Sequence, residues 1–427
     1  MLKKNKNNLA INGGRPVCEK FDPFNTIGQQ EIRAVTKVLK SGKLSGFFAK
    51  KDNGFLGGEK VIEFEKKICN YFKVKYAIAV NSWTSGLQTA VGAIDIQPGD
   101  EVIVTPWTMC ATVSSIVSWL GIPVFADIDK NTLNISIESI KKVLSERTKA
   151  IMLADIHGLS ANMNEIKEIA YANNLKIICD TAQSPGAKYK GAFAGTLGDI
   201  GGFSLNYHKH IHTGEGGVLV TNNQYLANRC RLIRNHAECV VTDKSNLSNM
   251  IGSNYRMGEI EAAIGIEQLK KLGKIIKNRQ KIAKVIIDIV KDFNFINIPK
   301  VPKECTHVYY VLPIIYEENL TGISRKKFVN ALKAEGLGDI VFEGYSNIHL
   351  LPMFQKKIAF GKDGIPWKSN FYKKEIDYKK GICPVAEDLH DNKFICFCCC
   401  MLDGSEKDLK KLKKIFLKVL NNISELK

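Results

Sequence analysis

Seven short apolar segments recur along the first half of the chain, and stretches with helical periodicity separate most of the earlier ones. Strands that alternate with helices are typical of α/β folds, in which the helices cover a largely parallel sheet. The sequence therefore predicts an α/β fold with a mainly parallel seven-stranded sheet. The predicted strands lie at 76–80, 101–105, 123–126, 150–153, 176–180, 200–204 and 217–221.

The length of 427 residues exceeds that of a usual single domain, so we expect one large and one smaller domain. Apolar residues recur every three to four positions at 257–272, and this helix marks the transition between the domains. The later sequence shows a strand at 307–315 and a helix near 325–335, a mixture typical of a small α+β domain. The predicted units are an N-terminal arm at 1–30, a large domain at 31–272, and an interdomain helix with the C-terminal domain at 273–427.

Composition excludes several classes of protein. No apolar run approaches the roughly 20 residues that a membrane span requires, and the first residues do not resemble a signal peptide. We therefore expect no membrane association, a cytoplasmic location and reduced thiols for the 12 cysteines. Four cysteines lie at 396–400, but they lack the paired ligand spacing of structural zinc. An apolar strand near the surface is the preferred interpretation, and no metal site is predicted.

The formal net charge is +18, which would suit either nucleic acid or an anionic small substrate. The lysines are spread along the chain, and their densest run, at 407–418, alternates with apolar residues at helical spacing. That pattern is typical of a solvated helix face. We therefore expect no nucleic-acid partner, whereas the charge could steer a diphosphate-linked substrate.

Asp180 ends the predicted strand 176–180, at the place where α/β proteins gather their chemistry. A carboxylate there can keep the ring nitrogen of a pyridine cofactor protonated. Two unit charges about 4 Å apart at an effective dielectric near 20 gain about 4 kcal/mol. The alternative is an aspartate that only caps the following turn.

Lys209 follows the strand 200–204 and precedes a Gly-Glu-Gly-Gly turn at 214–217. This setting favours a lysine that forms a Schiff base and also moves protons, although one surface lysine among many is the alternative. The polar segment at 81–86 lies where a strand enters a helix, which suits either an anion site or a simple helix cap. Ser204 could add a hydroxyl to such an anion site.

An ordered series of motifs extends from the first glycine-rich loop to the interdomain helix. In it, Asn-Ser-Trp-Thr-Ser-Gly at 81–86 precedes Asp-Thr-Ala-Gln at 180–183 and Lys209. The remaining motifs are Gly-Phe-Leu-Gly-Gly at 54–58, Pro-Trp-Thr-Met-Cys-Ala-Thr at 106–112, His-Gly at 157–158, Gly-Asp-Ile at 198–200, Gly-Glu-Gly-Gly at 214–217, Arg-Asn-His at 234–236 and Ser-Asn-Tyr-Arg-Met at 253–257. This order resembles the DegT/StrS-type aminotransferases, which use pyridoxal 5'-phosphate (PLP) and act on keto sugars. The likeness covers roughly residues 9–290 and more loosely the rest.

The resemblance implies the aspartate aminotransferase-like fold, fold type I, with PLP bound by the large domain. Asp180 is then implied to hold the ring nitrogen, Gln183 the phenolic oxygen and Lys209 the aldehyde carbon as a Schiff base. The resemblance assigns the cofactor phosphate to three hydroxyl side chains: Thr84, Ser85 and Ser204. The resemblance also implies that Lys209 and Asp180 are the catalytic residues.

Three further positions matter in this comparison. Asn254 falls where family members reach across an interface to the partner's cofactor phosphate, which implies a homodimer with active sites at the interface. Met109 occupies the position that usually presents an aromatic ring to stack on PLP, and a thioether can also pack on a ring. Trp83 replaces a small residue in the phosphate segment.

The resulting hypothesis is a PLP-dependent aminotransferase that moves an amino group from glutamate or glutamine to a keto sugar, expected to be nucleotide-linked. Such an enzyme would serve the biosynthesis of amino sugars, surface glycans or secondary metabolites. One rival is a PLP-dependent sugar dehydratase, although the spacing of five residues from Ser204 places a lysine at 209 and favours transamination. The other rivals are a non-catalytic regulatory protein with this fold and a cysteine metal protein.

Overall fold

The computed structural model describes residues 8–49, 54–237 and 250–427. The first seven residues of the predicted N-terminal arm thus lie outside the described residues. The strands are β1 (Tyr76–Val80), β2 (Glu101–Val104), β3 (Ile122–Phe125), β4 (Thr148–Ala154), β5 (Lys176–Asp180), β6 (Lys188–Tyr189), β7 (Ala192–Phe193), β8 (Ile200–Ser204), β9 (Gly217–Thr221), β10 (Ile296–Asn297), β11 (Cys305–Thr306), β12 (Leu312–Tyr316), β13 (Val341–Phe342) and β14 (Phe394–Phe397).

The large sheet contains seven strands in the order β1-β9-β8-β5-β4-β2-β3. The neighbours from β8 to β3 are parallel, whereas β9 runs antiparallel to both β1 and β8. All seven predicted strands are present, with bounds that differ by at most two residues. The prediction of a mainly parallel seven-stranded sheet is confirmed.

Helices cover both faces of this sheet. The α-helices are α1 (Gln29–Ser41), α2 (Glu59–Phe72), α3 (Trp83–Ala93), α4 (Cys110–Val117), α5 (Ile137–Val143), α6 (Met163–Ala172), α7 (Gln224–Arg234), α8 (Glu259–Val290), α9 (Glu318–Thr321), α10 (Arg325–Leu332), α11 (Pro352–Lys356), α12 (Pro384–Asp388) and α13 (Glu406–Asn421). Because side chains alternate along a strand, Ile178 of β5 packs with α3, α4 and α7, whereas Ile177 packs with α6 on the opposite face. The sheet is therefore buried on both sides, as a parallel sheet requires.

The 32-residue helix α8 belongs to two hydrophobic cores. Its first half packs Ile266 and Leu269 against α2 and the large sheet. Its second half packs Ile282 and Ile286 against the helices and the four-stranded antiparallel sheet β10-β12-β14-β13 of the C-terminal region. The predicted boundary at 272/273 falls inside this unbroken helix, so α8 connects the two cores as a rigid rod. The division into domains stays a prediction.

The described part of the N-terminal arm packs on the C-terminal core. Leu9 and Phe21 are buried there. The carboxylate of Glu335 accepts hydrogen bonds from the backbone N–H groups of Ala10 and Val17, at 2.8 and 3.1 Å. In the described part of the chain, no helix has both the length and the apolar character needed to cross a membrane.

The cysteine-rich segment forms β14 and the turn that follows it, so the predicted strand is confirmed. Its predicted place near the surface is wrong. The exposed fractions of Cys396, Cys398 and Cys400 are 2%, 8% and 5%. The physical reason is that β14 is an inner strand, paired with β12 on one side and β13 on the other. Among the residues with described positions, no cluster of three or more His, Cys, Asp or Glu side chains could hold a metal ion.

Candidate active site

The candidate site lies at the edge of the large sheet where β5 and β8 end. These strands are parallel, with Asp180 opposite Gly202, so Asp180 and Ser204 point to the same edge. Strand β1 also ends there, because β9 is antiparallel to both β1 and β8. The segment at 81–85 therefore meets the ends of β5 and β8, as the sequence predicts for a crevice beyond the carboxyl ends of the strands.

Asp180 is buried, with an exposed fraction of 6%. Its Oδ1 accepts hydrogen bonds from Trp83 Nε1 at 2.7 Å and from the backbone N–H of Ala182 at 3.2 Å. Its Oδ2 accepts one from the hydroxyl of Thr112 at 2.6 Å. No lysine or arginine within the described ranges forms an ion pair with Asp180. A buried carboxylate without a cationic side chain is suited to a bound cation.

Lys209 lies on the loop between β8 and β9, and its amine contacts Tyr310 of the C-terminal region. Nζ donates to the hydroxyl of Tyr310 at 3.2 Å and lies 4.4 Å from the centre of that ring. The buried Arg279 donates from Nη2 to the carbonyl oxygen of Lys209 at 3.2 Å, which fixes the loop to α8. Burial, which disfavours the charged amine, lowers the pKa of Lys209 from 10.5 to about 8. Near neutral pH, about a tenth of such an amine is uncharged and able to react.

The predicted phosphate segment forms the start of α3. Ser82 caps this helix, since its hydroxyl oxygen accepts from the backbone N–H of Ser85 at 3.1 Å. The Ser85 hydroxyl donates to Asn81 Oδ1 at 2.7 Å, and the side chain of Thr84 is exposed. Hydroxyls and backbone N–H groups at a helix start, together with the helix dipole, favour an anion. Ser204 is buried at the end of β8, and its hydroxyl oxygen accepts from the N–H of Asn206 at 3.3 Å.

Gln183 connects the sheet edge to the C-terminal region of the chain. Its Oε1 accepts from the backbone N–H of His157 at 2.9 Å. Its Nε2 donates to the hydroxyl of Tyr345 at 3.2 Å. The side-chain amide of Gln183 is thus held between two polar partners, and its Nε2 donor faces the loop that contains Tyr345.

Met109 and Asn254 lie at the rim of the site. Met109 is the residue that caps α4, and its sulfur accepts from the N–H of Ala111 at 3.0 Å. Its side chain is 56% exposed. The side chain of Asn254 is also exposed, whereas its backbone oxygen lies 3.4 Å from Nδ2 of Asn81. Both residues are therefore near the candidate site and open to a ligand or to a second protomer.

The sequence did not assign several side chains that the fold brings to this site. Thr112 and Trp83 both bind Asp180, although each lay in a motif that the sequence had singled out. Tyr310 and Tyr345 come from the C-terminal region of the chain, as does the buried Cys400, whose backbone N–H donates to the carbonyl oxygen of Tyr310. No periodic pattern in the sequence identifies which side chains of this region contact the large sheet.

Comparisons with known proteins identify the class. Residues 25–378 match the model of the DegT/DnrJ/EryC1/StrS aminotransferase family. The chain is 34% identical to GDP-perosamine synthase of Escherichia coli O157:H7, over 70% of this chain and 80% of that protein. It is 28% identical to L-glutamine:2-deoxy-scyllo-inosose aminotransferase of Streptomyces kanamyceticus, over 97% of both. The X-ray structure of an aminotransferase from Psychrobacter cryohalolentis superposes with a TM-score of 0.79 and 29% identity, covering 95% of this chain and all of that one.

The family match and the fold therefore define a PLP-dependent aminotransferase of fold type I. The chain belongs to the DegT/DnrJ/EryC1/StrS aminotransferase family. The predictions of family, fold class, enzyme class and cofactor are confirmed.

The residues at the sheet edge fit PLP. The protonated ring nitrogen of PLP is a cation that would pair with the buried carboxylate of Asp180. A carboxylate offers about four lone-pair sites, and the three hydrogen bonds to Asp180 leave one on Oδ2. Lys209, with a lowered pKa, supplies the uncharged amine that an aldehyde requires. The hydroxyls at the start of α3 suit the phosphate.

The lowered pKa of Lys209 predicts a pH dependence. As pH rises through about 8, the amine loses its proton, so the rate of covalent PLP capture by the cofactor-free protein should rise and then level off. A fully solvated lysine, with a pKa near 10.4, would give a rate still rising at about pH 9. Stopped-flow absorbance, recorded at pH values that span both pKa values, distinguishes the buried amine from a fully solvated one. A midpoint at or above about pH 10 would contradict the buried setting of this amine.

Proposed function

We propose that this aminotransferase moves an amino group from glutamate or glutamine to the ketone of a sugar linked to a nucleoside diphosphate. The observation that carries the proposed transfer is the placement of a partly uncharged Lys209 at the sheet edge that also holds the buried Asp180. The similarity to GDP-perosamine synthase supports a nucleotide-linked acceptor. The net charge of +18 supports an anionic substrate.

Each site residue has a role in this proposal. When bound, PLP supplies the electron sink through which an amino group is carried from donor to acceptor. Asp180 would keep the ring nitrogen protonated, and Lys209 would hold the cofactor through its aldehyde carbon and would serve as the group that accepts and returns a proton. Gln183 would bind the phenolic oxygen, and Met109 would pack on the ring. The hydroxyls of Thr84, Ser85 and Ser204 would bind the phosphate.

The amino donor and acceptor can be tested in separate half-reactions. The PLP-loaded protein is mixed with L-glutamate or L-glutamine, and the absorbance of the bound cofactor reports amino transfer. The aminated enzyme is then offered GDP-, UDP- or dTDP-linked keto sugars, with 2-deoxy-scyllo-inosose as a free cyclitol ketone, and the products are analysed by mass spectrometry. We expect conversion by at least one donor and a product that gains nitrogen. Ammonia release with loss of a sugar hydroxyl would instead identify the dehydratase.

The proposed enzyme is a homodimer in which Asn254 reaches the cofactor phosphate bound by the partner. The exposed side chain of Asn254, next to Asn81 at the start of α3, supports this arrangement. A cytoplasmic location also remains part of the proposal, since the cytoplasm keeps buried thiols such as Cys398 reduced.

Asn254→Ala should weaken PLP retention by about tenfold or more, because a hydrogen bond to a charged phosphate contributes about 1.5–3 kcal/mol. Equilibrium dialysis of PLP measures the effect, with Asn173→Ala, an exposed asparagine that ends α6, as the matched control. Inactive Lys209→Ala protomers are then mixed with Asn254→Ala protomers. This mixture tests whether each active site contains residues of both protomers. Equal PLP affinity in Asn254→Ala and the wild type would overturn the proposed contact.

A further inference from the structure

Trp83 is the first residue of α3, and its side chain is 5% exposed. The indole fits against the sheet because neighbouring positions are glycines. A Cβ atom at Gly86 would lie 2.6 Å from Cε3 of Trp83, and one at Gly202 would lie 2.4 Å from Cζ3 and Cη2. Larger residues at these positions would collide with the ring. The chain thus provides a slot that holds the indole in one place.

This slot aims the polar atom of the indole at the candidate active site. Nε1 donates to Oδ1 of Asp180 at 2.7 Å, and the hydroxyl of Thr112 donates to Oδ2 at 2.6 Å. An indole N–H is a donor only, so it pairs with Oδ1 only while that oxygen accepts. A side-chain donor on each oxygen, together with the backbone N–H of Ala182 on Oδ1, fixes the rotation of the carboxylate about its Cβ–Cγ bond. The lone-pair site left on Oδ2 then has a defined direction.

We propose that Trp83 is a positioning residue that, together with Thr112, holds the carboxylate of Asp180 in the orientation that binds the ring nitrogen of PLP. The inference rests on the role proposed above for Asp180. A buried indole N–H needs an acceptor wherever it lies, and here that acceptor is the carboxylate assigned to the ring nitrogen. Supporting donors that lock a charged group in place are a general way of pre-organising a site.

The test uses a cofactor analogue that needs neither an amino donor nor a sugar. 4'-Deoxypyridoxine 5'-phosphate has no aldehyde and forms no bond to Lys209, and its ultraviolet spectrum reports protonation of the ring nitrogen. Its dissociation constant and the pKa of its ring nitrogen are measured when it is bound to the wild type and to Trp83→Phe. Trp83→Phe keeps an aromatic ring in the slot but removes the donor.

Loss of one hydrogen bond to a charged group is expected to weaken analogue binding about ten- to a hundredfold and to lower the pKa of the bound ring nitrogen. Trp119→Phe is the matched control, since Trp119 also donates its indole N–H, to the carbonyl oxygen of Gln88 at 2.7 Å, but does not touch Asp180. This control should match the wild type in both measurements.

A second pair of variants tests the other oxygen and protects against misfolding of Trp83→Phe. Thr112→Val removes the hydroxyl and should reproduce the loss, whereas Thr112→Ser keeps it and should retain wild-type values. Unchanged analogue affinity and ring protonation in both Trp83→Phe and Thr112→Val would overturn the inference. An analogue bound equally by Asp180→Asn and the wild type would also overturn it. Failure of the proposed sugar transfer would instead appear only in the half-reactions with donors and ketones.

Discussion

Lys209→Ala should abolish covalent capture of PLP and reduce turnover by at least about 10⁴-fold, the upper part of the range for a positioned acid–base group. The chemistry requires an amine that is both at the sheet edge and partly uncharged. The pKa of about 8 gives Lys209 that property through burial. Borohydride reduction followed by peptide mass spectrometry should find the cofactor on Lys209 in the wild type and on no peptide of the variant.

Lys284→Ala is the control for this experiment. Lys284 lies on α8, is 75% exposed and pairs with Asp288, so its loss should leave capture and turnover unchanged. The fold of Lys209→Ala should survive, since the side chain loses one hydrogen bond to Tyr310 and a poorly solvated charge. A folded Lys209→Ala protein with turnover near that of the wild type would refute the assignment of this lysine.

The large domain could be predicted from the sequence because its strands are buried on both faces. Such strands are short continuous apolar runs, and each of the seven runs became a strand of the sheet. Direction and order are less visible in sequence. The antiparallel β9 between β1 and β8 follows from tertiary pairing, which no local pattern encodes.

Part of the site was equally predictable, for the same reason. Asp180 and Ser204 end their strands and the segment at 81–85 follows β1, and the ends of parallel strands meet at one edge of the sheet. The family resemblance then gave these residues roles. It also identified Trp83 as a departure, without showing what its indole would contact.

The remainder of the site depends on contacts between distant parts of the chain. Tyr310 is 101 positions from Lys209, and Tyr345 is 162 positions from Gln183. The thiols of Cys396 and Cys398, whose sulfurs are 3.8 Å apart, are buried for a similar reason. The sequence of β14 shows only that it is apolar, whereas its inner place in the small sheet arises from pairing with β12 and β13. Sequence patterns describe single elements, and these contacts belong to pairs of elements.

Asp180→Asn should retain the fold and the covalent PLP bond but reduce turnover by about 10³-fold. The carbonyl oxygen of asparagine can still accept from Trp83, and its amide can donate to the hydroxyl oxygen of Thr112, so the shape and most hydrogen bonds survive. What is lost is the negative charge beside the ring nitrogen. An interaction of about 4 kcal/mol at about 4 Å corresponds to roughly three orders of magnitude in rate.

Asp155→Asn isolates this effect from the general cost of changing a buried carboxylate. Asp155 is 1% exposed and accepts from Thr181 Oγ1 at 2.6 Å and from the backbone N–H of Ala161 at 2.9 Å. Burial raises the pKa of Asp155 to about 6, so roughly nine-tenths of this carboxyl is still ionised near neutral pH. Its replacement should keep turnover within about tenfold of the wild type, because its described side-chain partners, Thr181 and Ala161, are not assigned to the cofactor. The backbone N–H of Asp155, which donates to the carbonyl oxygen of Asp180 at 3.0 Å, is kept in the variant. Single-turnover kinetics with the amino donor compare the two variants. Similar losses of turnover in both variants would mean that buried charge at this sheet edge serves the fold. A loss confined to Asp180→Asn would mean that the carboxylate of Asp180 acts on the ring nitrogen.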